Sequence, residues 1–143
     1  MELRQLRRRA GLSQRELAEL TGIAQPNISA YESGRLTPSP ATLARIEEAT
    51  RVRPSILLAQ YRNDIVDVAA QHHASAVRVF GSAATGTDTT ASDLDLLVRF
   101  SDDATLYDQI ALAEALEEML GIRVDVISDG AAGVDRIEGP VAV

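Results

Sequence analysis

The sequence predicts two domains: an all-α helical bundle over residues 1–62, followed by a small α/β domain with a mixed sheet over residues 63–143. The first 62 residues carry short apolar stretches at helical spacing, whereas β-rich runs begin only after residue 63. Charge changes sign at the same place. Residues 1–62 hold 10 Arg and 6 acidic side chains, a net +4, and residues 63–143 hold 4 Arg and 15 acidic ones, a net −11. The basic part suits a polyanion such as nucleic acid, and the acidic part suits cations.

Composition excludes several kinds of protein. There is no cysteine, which excludes disulfides and thiolate metal sites. The N-terminus MELRQLRRRAGLSQ lacks the apolar segment of a signal peptide, and no run approaches the roughly 18 apolar residues of a membrane span. We therefore expect a cytoplasmic protein with no membrane partner.

Local capping signals set the helices of the first domain. Ser13 and Glu16 form a capping box, which predicts a helix that starts at about Gln14. The pair at 39–40, a serine and a proline, supplies a cap and a first helical residue for a later helix. Pro54 predicts the start of a fifth helix. No stretch rich in Gly, Ser or Pro follows, so we expect the domain boundary near residues 60–63, within a continuous helix.

Three β-rich runs and one amphipathic helix predict the second domain. The runs are AVRVF (76–80), DLDLLVRF (93–100) and IRVDVIS (122–128), the last two with alternating carboxylates. A helix is predicted between them over residues 106–120. Its expected apolar face consists of Ile110, Ala113, Leu116 and Leu120, which would cover one side of the sheet.

A helix pair in the first domain has the pattern of a DNA-reading unit. Ala18 is small enough for a close helix crossing, Gly22 allows a tight turn, and Ile28 anchors the second helix. Such a pair presents the start of its second helix to the major groove. Gln25 and Asn27 would then face the bases, because amide side chains can pair with the N6 and N7 edge of adenine.

The stretch from Leu3 to Leu58, including GLSQRELAELTGIAQPNISAYESGRLTPSPATLARI, resembles the Cro and lambda-repressor-like (XRE) helix-turn-helix family. The resemblance implies a homodimer on a pseudo-palindromic double-stranded DNA operator. It also implies base contacts by Gln14, Gln25 and Asn27, and phosphate contacts by Arg35 and the N-terminal arginines. Pro26 departs from the polar residue that many members carry there. The alternative is that these amides are ordinary solvated residues in a module that binds only protein.

The acidic domain contains a second constellation: Gly81-Ser82, ten intervening residues, Asp93-Leu-Asp95, and then Asp125 within VDVIS. Asp93 and Asp95 are two apart on a predicted strand, so both carboxylates project to one face, where they can share hard cations such as Mg²⁺. Asp125 on a neighbouring strand would complete a metal shell and help deprotonate a nucleophile. Gly81 permits close approach of the backbone to a phosphate, and the N–H groups and hydroxyl of Ser82 would donate to it.

This segment, VFGSAATGTDTTASDLDLLV, resembles the minimal nucleotidyltransferases of the DNA polymerase β superfamily. The resemblance covers about residues 64–143. It implies two Mg²⁺ ions held by Asp93, Asp95 and Asp125, with ATP or another nucleoside triphosphate as substrate. Ala83 and Ala84 depart from the basic residue that relatives commonly carry after Gly-Ser. Two arginines, Arg99 and Arg123, are candidates for its role.

Other polar residues have simpler interpretations. The acidic strands could merely face solvent, although the combination with Gly-Ser at this spacing argues against it. His72 and His73 are predicted to cap a helix end. Three glutamates, Glu114, Glu117 and Glu118, are predicted to form a solvated helix face.

Bacterial minimal nucleotidyltransferases are typically antitoxins encoded beside small HEPN ribonucleases. The resemblance therefore implies AMP transfer from ATP to a tyrosine of a HEPN-type toxin, with the DNA-binding domain repressing the shared operon. Two alternatives stay open. The first is a DNA-binding regulator whose transferase domain is inactive and neutralises its partner by binding only. The second is an enzyme that modifies a small molecule such as an aminoglycoside.

Overall fold

The computed structural model describes residues 2–143, and within them four helices form a first unit that ends at Val52. They are α1 (Leu3–Arg9), α2 (Gln14–Thr21), α3 (Gln25–Glu32) and α4 (Pro40–Ala49). The predicted caps are present. Ser13 accepts a hydrogen bond from the backbone N–H of Glu16, whose side chain accepts one from Ser13 in return. Ser39 accepts from the backbone N–H of Thr42 and starts α4 in the same way.

The core of the first unit is small and aliphatic. Its buried members are Leu17, Ile23, Ile28 and Ile46, with Leu3, Leu12, Ala18, Tyr31 and Ala49 packed around them. Burial of side chains of this size stabilises a fold by about 1.5–3 kcal/mol each. Gly22 ends α2 with φ +71°, a left-handed conformation that glycine adopts without strain. The chain therefore turns sharply enough for α2 and α3 to pack together.

The second unit spans Arg53–Val143 and combines a four-stranded sheet with helices. Its elements are α5 (Pro54–Gln60), α6 (Arg62–Gln71), β1 (Ala74–Phe80), α7 (Ser82–Thr85), β2 (Leu94–Phe100), α8 (Leu106–Leu120), β3 (Val124–Ser128), a short 3₁₀ helix (Val134–Arg136) and β4 (Val141–Ala142). The strand order is β3-β2-β1-β4; β2 and β3 are parallel, and the other pairs are antiparallel. The predicted mixed sheet is confirmed.

Along the chain, the boundary between the two units falls at residues 52/53, ten residues before the boundary expected from the sequence at 62/63. The difference is α5, which packs against α6 and α7 of the second unit. Pro54 opens α5 as predicted. The expected continuous helix is interrupted, because Tyr61 (φ −109°, ψ 21°) leaves the helical region between α5 and α6.

One face of the sheet is covered by α6 and α8. On β2 the buried residues Leu94, Leu96 and Val98 alternate with Asp95 and Arg99 on the other face. A bulge in β1, where Ala76 has φ +50°, shifts the register between β1 and β2. Residues 2–143 contain no helix both long and apolar enough to cross a membrane.

The apolar face of α8 differs from the one expected. Leu112, Leu116 and Leu120 are fully buried, whereas Ile110 is 48% exposed. These leucines recur every four residues, and this row faces the sheet. Glu117 is also not simply solvated, because its Oε1 accepts a hydrogen bond of 3.2 Å from the backbone N–H of Val124 on the edge strand β3.

Candidate functional site

The amides expected to contact bases lie on one exposed surface of the first unit. Gln14 is the first residue of α2, and Gln25 is the first residue of α3. Their side chains meet, since Gln25 Nε2 donates to Gln14 Oε1 at 2.9 Å. Asn27 is exposed one position beyond Pro26 on the first turn of α3. Proline is tolerated there because the first helical residues need no backbone donor.

The N-terminal arginines divide into two groups, and this corrects the expectation that they all contact phosphates. Arg7 is held inside the unit by Glu32, with hydrogen bonds of 2.8 Å from both Nε and Nη2. Arg9 is 8% exposed and donates to the carbonyl of Thr50. Arg8 is exposed and can reach a polyanion, whereas Arg4 is exposed but its Nε lies 3.4 Å from Glu32 Oε1.

Glu32 is a buried partner of the N-terminal arginines that the sequence did not reveal. Its side chain is 1% exposed and lies between Arg4 and Arg7. The hydrogen bond from Arg7 lowers the pKa of Glu32 below its usual range, against the opposing effect of burial. Arg35 is exposed beyond the end of α3, where its Nε donates to Ser33 Oγ at 3.1 Å. Its contact with phosphate remains a prediction.

The predicted carboxylates converge at one end of the sheet. Asp95, the second residue of β2, is the direct register partner of Asp125 on β3, so the two side chains lie side by side on the same face. Asp93 comes just before β2 and two residues before Asp95, so its side chain lies on the same face as that of Asp95. Burial, the charges of Asp125 and Asp93, and a hydrogen bond with Asp125 raise the pKa of Asp95. The cluster therefore concentrates negative charge that it does not neutralise by itself.

Gly81 brings the β1–α7 junction against this cluster. Phe80, the last residue of β1, pairs with Asp95 across the sheet. Gly81 follows with φ +72° and ψ −151°, a conformation that is essentially restricted to glycine. A Cβ at this position would lie 2.5 Å from Asp95 Oδ2. Glycine is therefore required both for the backbone conformation and for room beside the carboxylate.

Ser82 is partly exposed and is the first residue of α7, immediately after this turn. The first N–H groups of any helix have no acceptor within the helix, so they can donate to an anion. Ala83 is buried and Ala84 is partly exposed. No basic side chain of α7 therefore reaches the site.

The two candidate arginines have different surroundings. Arg123 is 77% exposed, and its Nε lies 4.0 Å from Asp93 Oδ2, so it borders the carboxylates. Arg99 lies four residues beyond Asp95 on β2, about 13 Å along the strand. Its Nε donates to Asp129 at 2.9 Å, and Asp129 also accepts from Arg78. Arg99 is therefore not the missing phosphate contact.

The carboxylates fit a divalent cation by their chemistry, because clustered carboxylate oxygens are preferred ligands of Mg²⁺. In residues 2–143 no group of three or more His, Asp or Glu side chains is already arranged to hold an ion. The three aspartates would therefore have to turn toward a shared ion. His72 ends α6, as predicted, and lies outside this cluster in the fold.

Comparisons with known proteins agree with both domains. Residues 3–57 match the helix-turn-helix family, and residues 63–132 match the family "Polymerase beta, Nucleotidyltransferase". Two Methanocaldococcus jannaschii proteins assigned as protein adenylyltransferases are 33% and 32% identical to the chain. Their alignments cover 48% and 61% of this chain and 74% and 78% of those relatives.

Two further matches concern the second domain. Protein adenylyltransferase MntA of Thermococcus cleftensis is 43% identical over 51 residues, 36% of this chain and 52% of that protein. A solved structure assigned as a minimal nucleotidyltransferase is 40% identical with a TM-score of 0.54, and the match covers 62% of this chain and 95% of that one. The chain therefore belongs to the minimal nucleotidyltransferases of the polymerase β family and carries an XRE-like helix-turn-helix domain at its N-terminal side.

Proposed function

We propose that the protein transfers AMP from ATP to a tyrosine of a HEPN-type ribonuclease toxin, and that its helix-turn-helix domain represses the operon encoding both proteins. The observation that carries the proposal is the convergence of Asp93, Asp95 and Asp125 beside Gly81 at one end of the sheet. The relatives assigned as protein adenylyltransferases support a protein as the acceptor.

Each residue of the cluster has a role in this reaction. Asp93, Asp95 and Asp125 would hold two Mg²⁺ ions. Burial and the charges of Asp125 and Asp93 raise the pKa of Asp95, and a bound cation would favour its charged form. When bound, the ions supply charge stabilisation to the triphosphate and the departing pyrophosphate. The backbone at Gly81 and Ser82 donates hydrogen bonds to the phosphates, and Arg123 replaces the basic residue that α7 lacks.

The transfer itself is a displacement at phosphorus. The tyrosine oxygen forms a bond to the α-phosphorus of ATP while the bond between that phosphorus and the α–β bridging oxygen breaks. The phenolic proton passes to Asp125, and pyrophosphate leaves. Asp125 is exposed and directly beside Asp95, so it can be reached by the side chain of another protein.

The decisive experiment is incubation of the purified protein and its co-encoded neighbour with labelled ATP and Mg²⁺, followed by intact mass of both chains. The expected result is one or more AMP units on the neighbour with wild-type protein and none with Asp95→Asn. Asp102→Asn is the matched control, because it makes the same change on an exposed side chain outside the cluster and should retain transfer.

Other outcomes of this experiment identify the alternatives. A neighbour that stays unmodified, yet is bound and silenced by wild-type and Asp95→Asn protein alike, would replace the proposal with neutralisation by contact. Transfer to an added aminoglycoside, with none to the neighbour, would indicate a small-molecule enzyme.

The DNA-binding half of the proposal rests on the paired amides of Gln14 and Gln25 on an exposed helix start. A homodimer would place two such helices on a pseudo-palindromic operator. DNA binding and AMP transfer both require the cytoplasm, where DNA and ATP are found. A mobility-shift assay with the promoter of the protein's own operon tests this half. Gln25→Ala should weaken the shift, and Gln71→Ala, at an exposed glutamine of α6, should leave it unchanged.

A further inference from the structure

An ion pair with a buried carboxylate lies outside the carboxylate cluster, where Asp88, on the loop between Gly81 and Asp93, pairs with Arg53, whose side chain is 41% exposed. Asp88 is 5% exposed, and its carboxylate is completely buried. It accepts a 2.9 Å hydrogen bond from Arg53 Nη2 and a 2.7 Å bond from the backbone N–H of Ser55. Burial raises the pKa of Asp88, but these hydrogen bonds outweigh it and hold the pKa below the usual range. Asp88 is therefore a charged anchor.

The position of Asp88 in the chain gives the anchor its significance. Residues 81–95 form a closed segment, because the position of a Cβ on Gly81 and Asp95 Oδ2 are 2.5 Å apart. Asp88 is at its midpoint, seven residues from each end. The segment thus contains both the Gly81-Ser82 turn and two of the three carboxylates, and Asp88 lies between them.

The rest of this loop is held mainly by short-range bonds. Thr87 donates from its backbone to the carbonyl of Ser82, and Thr89 donates to Ser92 Oγ. In the part of the chain that the structure describes, the hydrogen bonds from residues 86–92 to positions outside 81–92 go to Arg53 and Ser55. Arg53 Nη2 also donates to the carbonyl of Gly86 at 3.2 Å. One guanidinium nitrogen therefore bridges two points of the loop.

Stability alone does not explain a charged pair at this place. Removing the Asp88 carboxylate from water offsets much of its attraction to Arg53, whose side chain is 41% exposed. Among the described residues 2–143, Arg53 Nε is itself buried without a hydrogen-bond partner. What the pair supplies is geometry, since the two acceptors, Gly86 and Asp88, are fixed relative to Arg53 and to the start of α5.

We propose that Asp88, held by Arg53, is a positioning residue of nucleotidyl transfer that keeps Gly81-Ser82 and Asp93-Asp95 in register. This inference rests on the proposed function, because the register matters only if the cluster binds metal and nucleotide. The anchor acts through the loop and does not touch the substrate.

The test compares Asp88→Asn with Asp129→Asn. The control breaks an ion pair in the same unit, where Asp129 accepts from Arg78 and Arg99 at the other end of the sheet. Three quantities are measured: the Mn²⁺ dissociation constant by electron paramagnetic resonance of the free ion, kcat and KM for ATP in transfer to the co-encoded neighbour, and the melting temperature.

For Asp88→Asn we expect the Mn²⁺ dissociation constant to rise about tenfold or more. We expect kcat to fall by about 10²-fold, with a smaller change in KM for ATP at saturating Mg²⁺. The Asp129→Asn control should change the melting temperature alone. A folded Asp88→Asn variant whose Mn²⁺ affinity and kcat match those of the control would overturn the proposal.

Two further outcomes also decide the matter. If Asp88→Asn does not fold, Arg53→Met replaces it, because methionine keeps much of the side-chain length but has no donor for Gly86 or Asp88. Unchanged Mn²⁺ affinity in that variant would overturn the proposal. If wild-type protein transfers no AMP, the proposed function fails, while the Mn²⁺ measurement still tests the anchor. Wild-type protein that binds no Mn²⁺ would refute both.

Discussion

Substitution of Gly81 by alanine should damage the site by a predictable amount. Its φ of +72° and ψ of −151° cost an L-residue about 1–3 kcal/mol. The added Cβ would lie 2.5 Å from Asp95 Oδ2, whereas ordinary contact begins at 3.4 Å, so the carboxylate must retreat by about 0.9 Å. A misplacement of about 1 Å can reduce the rate of an enzyme by about 10²-fold.

Thermal denaturation and AMP transfer would measure these two effects. For a unit of this size each kcal/mol lowers the melting temperature by about 4–8 °C, so Gly81→Ala should melt about 4–24 °C lower. The matched control is Gly133→Ala, at a left-handed glycine (φ +81°) where the added Cβ would have no atom of the described chain within 4 Å. It should lose about 1–2 kcal/mol of stability and keep its transfer rate. If Gly81→Ala keeps wild-type kcat, or is no worse than the control, the argument from close approach is refuted.

Four further predictions concern both units. Asp95→Asn should raise the melting temperature of the metal-free protein at neutral pH, because it removes a carboxylate whose pKa is raised by burial and by the charges of Asp125 and Asp93. Mg²⁺ should stabilise wild-type protein only, and a lower melting temperature of the metal-free variant would contradict this explanation. Glu32→Gln should cost about 2 kcal/mol at neutral pH, where the ion pair with Arg7 is intact. The pKa of Glu32 is lower in the folded than in the unfolded protein, so the difference in unfolding free energy between wild type and Glu32→Gln should be complete above the ordinary glutamate pKa and shrink as pH falls through the folded value. Urea titrations at several pH values would measure it. The same difference at every pH would mean that the ion pair contributes nothing. Gln25→Ala should lose about 1–3 kcal/mol of binding free energy to DNA selected by the wild-type protein, through a lost contact with one A·T pair. An equal loss on every duplex, whatever its sequence, would argue against base reading. Finally, Leu112→Ala should cost about 2–5 kcal/mol, whereas alanine at the half-exposed Ile110 should cost far less in the same denaturant assay.

The elements of the fold were predictable because their signals are local. The capping box at Ser13 sets the start of α2 through hydrogen bonds that reach only three residues. The proline at 54 starts α5, and the predicted helix over 106–120 matches α8 to the residue. The spacing of Gly81, Asp93 and Asp95 indicated the family for the same reason, since alternation along one strand already places two carboxylates on one face.

Partners distant in sequence could be settled only by the tertiary structure. The parallel pairing of β2 with β3 brings Asp125 beside Asp95, and no local pattern specifies which strands become neighbours. Packing selected the Leu112 row of α8 over the row that contains Ile110. Long-range ion pairs likewise hold Arg7 on Glu32 and Arg99 on Asp129 instead of leaving them free for phosphate. Another such pair joins the buried Asp88 to Arg53. The sequence by itself thus determined most of the helices, the strands β1, β2 and β3, and the chemistry available to them, but not β4. The tertiary structure decided which charges meet, because pairing energies depend on distance through space and not on distance along the chain.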